Sequence, residues 1–173
     1  MSGCAGEFNK VYKSQDYDYR YEYAKQCFAE GKYSQAVTLL QDMVTMLKGG
    51  DYAQESLYML AMAQYMSHDY ESASQTFKKY GSSYPKGIYA EKASYYVGES
   101  LFESAPEPRL DQTPTIGAIN AYQAFLDAFP DSELRPDATR KLYELQDKLI
   151  MKEYLSAKLY YNTSRSEERR IGK

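Results

Sequence analysis

The sequence predicts an all-α protein, a superhelix of stacked antiparallel helix pairs, on three observations. The pattern Tyr-x-x-small-x-x-x-aromatic recurs as Tyr21-Ala24-Phe28, Tyr58-Ala61-Tyr65, Tyr95-Gly98-Phe102 and Tyr154-Ala157-Tyr161, and the first three copies start 37 residues apart. A second pattern, with offsets of 0, 4 and 7, follows each of those three as Ala36-Leu40-Met43, Ala73-Phe77-Tyr80 and Ala118-Tyr122-Phe125. Short breaker-plus-aromatic turns, Gly31-Lys32-Tyr33 and His68-Asp69-Tyr70, separate the first two pairs of patterns. Spacings of three, four and seven place residues on one side of a helix. A fixed long period marks a stacked repeat.

The elements follow in order. Residues 5–14 show no strong pattern and read as a tether. The first pair covers 17–30 and 34–47 and ends in Lys48-Gly49-Gly50-Asp51. The second covers 52–66 and 70–82 and ends in Tyr84-Pro85-Lys86-Gly87, because proline cannot continue a helix. The third covers 88–104 and 114–129 and closes at Pro130. Its internal loop, from Ser104 to Pro114, is eight residues longer than its counterparts, measured from Gly98 to Ala118. A last helix, 136–162, starts at Asp131-Ser132 with Pro136 in its first turn. It reads either as one long bridge or as two helices meeting near Lys152. Beyond Asn162 the chain is almost wholly polar and lacks repeat features, which reads as a disordered or truncated end. The expected organisation is therefore a tether over 1–15, three repeats plus the first helix of a fourth over 16–162, and a tail over 163–173.

Composition excludes several functions. The 173 residues suit one domain or one short repeat array. With 24 acidic and 21 basic side chains the net charge is −3, which gives no general pull towards nucleic acid. One His and two Cys do not supply a zinc site. The longest apolar run, Leu57 to Ala63, is far short of the roughly 20 residues of a membrane span. No Gly-rich phosphate loop, His-Glu-x-x-His or Gly-x-Ser-x-Gly occurs, and His68 reads as a solvent-exposed turn residue. Neither an enzyme nor a cofactor is expected.

The chemistry instead lies in tyrosine, with 20 Tyr, 6 Phe and no Trp. Tyrosine joins a flat apolar body to a polar tip, which suits grooves and interfaces. In stacked helix pairs the first-helix positions Tyr21, Tyr58, Tyr95 and Tyr154 point to the inner surface. So do Phe28, Tyr65, Phe102 and Tyr161, with Lys25, Met62 and Glu99 between them. The set is expected to line a peptide groove, to which Met62 and Met66 add an adaptable surface. Tyr21, Lys25, Phe28, Tyr58, Met62, Tyr65, Tyr95, Glu99 and Phe102 are the candidate peptide-binding residues. Ala24, Ala61, Gly98, Ala36, Ala73 and Ala118 are packing positions. Cys27 reads as a buried small hydrophobe, whereas Ser2-Gly3-Cys4-Ala5 matches the end of a bacterial lipobox, in which the cysteine carries lipid.

A small residue mid-helix, a Gly-x-Tyr turn, an Ala followed by a bulky residue in the second helix and a closing proline together resemble the tetratricopeptide repeat. The usual first-helix tryptophan is replaced by Arg20, Leu57 and Ser94. Longer stretches are more specific: CAGEFNKVYKS, YEYAKQCFAEGKYSQAVTLL, ESLYMLAMAQYMSHDYESASQTFKKYGSSYPKG, PEPRLDQTPT and DATRKLYELQDKLIMKEYLSAKLYYN. From Cys4 to Asn162 they resemble the BamD/YfiO family of outer-membrane assembly lipoproteins. The resemblance implies a lipid-anchored protein, held through Cys4 on the periplasmic face of a Gram-negative outer membrane. It implies BamA and other assembly-machine subunits as partners, and recognition of unfolded β-barrel proteins by the N-terminal repeats. The family has five repeats, so docking on BamA is the implied property that three and a half repeats put in question. The alternative is a periplasmic tetratricopeptide adaptor that coordinates the envelope or cell division, which shares the Tyr84-Pro85 and Tyr95-Gly98 features.

Overall fold

A computed structural model describes residues 3–46 and 52–171. Among them all regular structure is helical: α1 (Gly3–Tyr12), α2 (Tyr17–Ala29), α3 (Tyr33–Met46), α4 (Ala53–Met66), α5 (Tyr70–Ser83), α6 (Ala90–Glu103), α7 (Thr113–Ala128) and α8 (Arg135–Ile171). Each helix packs on the next, and α6 also touches α8. This is the predicted tetratricopeptide-type stack, with α2–α3, α4–α5 and α6–α7 as its pairs.

Local chemistry sets the boundaries. Asp16 and Asp69 accept hydrogen bonds from the backbone amides of Tyr19 (3.0 Å) and Ser72 (3.2 Å), and so start α2 and α5. The turn after α2 uses Gly31 at φ 74°, and the turn after α4 puts His68 at φ 64° in the same role. That conformation is cheap for glycine and costly for a side-chain-bearing residue. The His68 ring lies over the turn, with Nδ1 2.7 Å from the Tyr70 hydroxyl.

The core is a row of three clusters. Val11, Tyr23, Ala24, Cys27, Leu39, Leu40 and Leu60 are among those that build the first. Leu57, Ala61, Ala73, Phe77, Tyr80 and Ala93 belong to the second. Tyr95, Ala118, Tyr122, Phe125, Ala138 and Leu145 form the third. Cys27 is buried and unpaired by disulfide, as its spacing predicts, and burial pushes its thiol pKa up. At the tryptophan position, buried Arg20 reaches the Asp42 carboxylate at 3.1 Å and lies 5.6 Å from the centroid of the Tyr12 ring.

Two segments differ from the sequence-based expectation. Residues 5–14 carry most of a helix rather than a patternless tether: α1 inserts Val11 fully into the first cluster, with Phe8 beside it. Two apolar anchors on ten residues leave no periodicity to read. The backbone of Cys4 lies in α1, and its side chain is outside the described residues. At the other end α8 is one unbroken helix of 37 residues, continuing from Asn162 to Ile171. Nothing in that stretch breaks a helix. Thr163 and Ser164 hydroxyls donate back to the carbonyls of Leu159 (2.9 Å) and Tyr160 (3.0 Å). The fourth copy of the aromatic pattern lies on this half of α8, where Tyr154 and Tyr161 are exposed. No described helix of the chain is long and apolar enough to cross a membrane.

The close approach of α6 and α7 runs through Gly98, where a Cβ would come within 2.7 Å of two atoms of the Tyr122 ring. Gly81, also helical, would meet nothing within 4 Å. Gly98→Ala is expected to destabilise the protein by about 1–3 kcal/mol through overpacking. Gly81→Ala is expected to stabilise it by about 0.5–1 kcal/mol through helix propensity. Urea unfolding midpoints moving in opposite directions would bear this out; equal shifts would refute it.

Candidate functional site

The nine candidate residues occupy three successive first helices, and their surroundings differ. In α2, Tyr21 is buried, while Lys25 and Phe28 are half-buried. Tyr21 stacks on Tyr52 with ring centroids 4.5 Å apart, and the Lys25 ammonium lies 5.2 Å from the centroid of the Tyr21 ring. Burial, and then the nearby Glu55 carboxylate, push the Tyr21 phenol pKa up. Phe28 meets Tyr33 edge-on at 5.5 Å.

In α4 the candidates stay half-buried. Tyr58 stacks on Tyr89 at 4.3 Å and 9°, and meets Phe77 and Tyr80 edge-on. Tyr65 sits edge-on between Tyr70 (5.4 Å) and Tyr96 (5.2 Å), and Met62 packs beside them. Burial pushes both the Tyr58 and Tyr65 phenols up, so they remain neutral donors. The surface therefore offers fixed aromatic faces with hydroxyl tips and few net charges.

The α6 candidates are placed differently. Tyr95 and Glu99 lie beneath α8 rather than on an open surface, and Phe102 is half-buried next to them. The Tyr95 hydroxyl donates to Asp137, and the Tyr122 hydroxyl donates to Glu99 at 2.5 Å. The Lys141 ammonium reaches Glu99 at 2.5 Å and Asp137 at 3.3 Å. It also lies 5.3 Å from the Phe102 centroid. Asp137 and Lys141, four apart, meet α6 from one face of α8. Tyr95 and Glu99 therefore hold the third repeat to α8, whereas Lys25, Phe28, Tyr58, Met62, Tyr65 and Phe102 are half-buried.

Sequence reasoning missed the partners that fix these rings. Tyr52 follows Tyr21 by 31 residues, and Tyr89 follows Tyr58 by the same interval. Both pairs stack. That second periodicity was available in the sequence. Asp137 and Lys141 were legible only as an i,i+4 pair on a helix, without a partner to name.

Asp137 provides a pH test. Burial opposes its ionisation, but hydrogen bonds from Tyr95 and Arg140 and the Lys141 charge outweigh burial and hold its pKa at about 2, below the ordinary 3.8. A folded-state pKa below the unfolded value contributes stability that is full above the unfolded value and lost as pH falls through the folded one. Wild type should therefore lose stability more steeply than Asp137→Asn between about pH 4 and about pH 2. Parallel melting-temperature profiles for the two proteins over that range would refute the clamp.

Comparison with known proteins finds a family match and curated relatives. The family model described as "YfiO: Outer membrane lipoprotein" matches residues 13–166. The chain is 25% identical over 163 residues to the outer membrane protein assembly factor BamD of Caulobacter vibrioides, covering 92% of this chain and 53% of that protein. It is 29% identical over 103 residues to the putative outer membrane protein assembly factor BamD of Aquifex aeolicus, covering 60% of this chain and 34% of that protein. The chain thus spans about half, or less, of the length of these curated relatives.

Proposed function

The chain belongs to the YfiO family of outer membrane lipoproteins, and on that premise we propose that it serves outer-membrane protein assembly by holding extended segments of unfolded β-barrel proteins. The segment lies along the half-buried strip of Lys25, Phe28, Tyr58, Met62, Tyr65 and Phe102. The names of the relatives support the assembly role. The binding role rests on one observation: Tyr58 and Tyr65 are half-exposed, yet each is locked by two or more ring contacts.

Rings already fixed lose little freedom when a ligand lands on them. They offer stacking and edge contacts to aromatic side chains, and their neutral hydroxyls can bond to the backbone of an extended chain. Such a surface favours breadth over tight selectivity, because the contacts are mainly to ring faces and backbone. Tyr21, Tyr95 and Glu99 act as positioning residues that hold the strip in shape. The protein would work beside BamA from a lipid on Cys4, facing the periplasm, and no catalytic step or cofactor enters.

A labelled peptide carrying an aromatic-ended strand of an outer-membrane β-barrel protein tests the groove. Tyr58→Ala/Tyr65→Ala is expected to weaken binding about tenfold, close to 1.4 kcal/mol. Met62→Lys should also weaken it, whereas Tyr143→Ala, on the exposed face of α8, should not. Wild-type affinity in the double variant, with its helical circular dichroism intact, would overturn the proposal. The anchor is tested separately by mass spectrometry of membrane-extracted protein. An acylated Cys4 is the expected species, and an unmodified thiol there would refute it.

A further inference from the structure

We propose that the cleft between the α6–α7 loop and the second half of α8 is a docking site for an acidic, leucine-bearing segment of a partner protein. The cleft encloses about 530 Å³. Pro108, Leu155 and Leu159 supply its apolar lining, and Arg109, Lys152 and Lys158 supply cations. None of these residues belongs to the aromatic strip, so the inference stands apart from the peptide-groove reading.

The cleft is built rather than left over between helices. Its outer wall is the long loop of the third repeat, and buried Gln112 organises that loop from inside. The Gln112 amide donates to the carbonyls of Glu107 (2.8 Å) and Leu110 (3.1 Å), and its oxygen accepts from the Thr115 hydroxyl at 2.7 Å. From the other side, Lys148 and Lys152 on successive turns of α8 donate to the carbonyls of Ala105 (3.4 Å) and Leu110 (2.7 Å). The loop is thereby tied to α8 at two levels, with Pro108 and Arg109 held opposite Leu155 and Leu159. An irregular segment ordered to this degree is a common location for binding residues.

Charge identifies the occupant. No carboxylate is among the residues lining the cleft, and among the described residues Arg109, Lys152 and Lys158 make no ion pair. Lys152 commits one hydrogen bond to Leu110, and Lys158 lies 5.8 Å from the centroid of its own helix neighbour Tyr154. Lys152 also borders an adjoining hollow with Asp111 and Glu153, which leaves Arg109 and Lys158 as two cations facing no acid in a chain whose net charge is −3. Leu159 is 70% exposed among them, an apolar anchor point with a cationic rim. A leucine flanked by Asp or Glu satisfies both features: the side chain covers Leu155 and Leu159, and the carboxylates meet Arg109 and Lys158. A bidentate carboxylate on Arg109 would add register to that attraction. Charge of this kind sets on-rate and partner choice more than bulk affinity, so binding should be salt-sensitive.

The test uses the full chain and a fluorescent peptide of about twelve residues, capped at both ends, with two leucines four apart and flanking glutamates. Saturable binding that weakens at least tenfold when salt rises from about 0.05 to about 0.5 M is expected. Arg109→Glu/Lys158→Glu should weaken it by at least tenfold as well, whereas Tyr58→Ala/Tyr65→Ala should leave it unchanged. Should the charge reversal unfold the chain, Arg109→Gln/Lys158→Gln is the variant to read. Four outcomes would overturn the proposal: no binding, equal binding by the glutamine version of the peptide, wild-type affinity in the charge variant, or binding by the glutamine version only when its C-terminus is free. Capture of phosphatidylglycerol vesicles in place of the peptide would likewise assign the cations to a lipid surface.

Discussion

The stack depends on how closely each second helix can approach its first. Ala24, Ala61 and Gly98 are fully or almost fully covered, and at Gly98 the Tyr122 ring occupies the space a methyl group would need. The small residue sets the distance between the axes, and the bulky residues of the following helix fill what remains. Ring-to-ring contacts such as Tyr58 on Tyr89 then join neighbouring repeats.

Tyrosine then performs two tasks that phenylalanine and leucine could not combine. In the second repeat it joins neighbouring pairs through ring contacts, and the buried Tyr80 hydroxyl accepts from the Gln54 amide and the Tyr89 backbone. In the third repeat the same residue type is drawn inward, and its hydroxyls are satisfied by carboxylates. Tyr95 and Tyr122 share a small network with Asp137, Glu99 and Lys141 in which the Lys141 ammonium faces both carboxylates. A buried charge without its partner is costly, so these five residues act as a unit. The transition from open strip to closed network occurs where α8 folds over α6.

Much of this was legible in the sequence because the repeat writes the same constraint several times. The helices from α2 to α7 fall within a residue or two of the pattern read from Tyr21, Ala36 and their equivalents. The small residues were identifiable as packing positions because only close approach requires them at that spacing. What escaped has a physical reason in each case. The helix α1 is too short, and anchored by too few apolar residues, to show a period. Whether Tyr95 faces solvent or Asp137 depends on contacts 42 residues apart, and helix periodicity holds no information at that range. The continuation of α8 past Asn162 reflects the absence of any breaker, which is a weaker signal than the presence of one. Of the candidate residues, those on α4 are half-buried, and the α6 positions Tyr95 and Glu99 lie inside.

The unbroken length of α8 has a mechanical consequence. Its first half is gripped by α6, α7 and the 104–112 loop, with the last polar grip at Lys152. From there to Ile171 the helix extends about 30 Å at 1.5 Å per residue. Over that length a difference of about five degrees in direction at Lys152 corresponds to roughly 2–3 Å at Ile171. The Lys148 and Lys152 contacts to the loop thus fix the direction in which the second half of α8 leaves the third repeat.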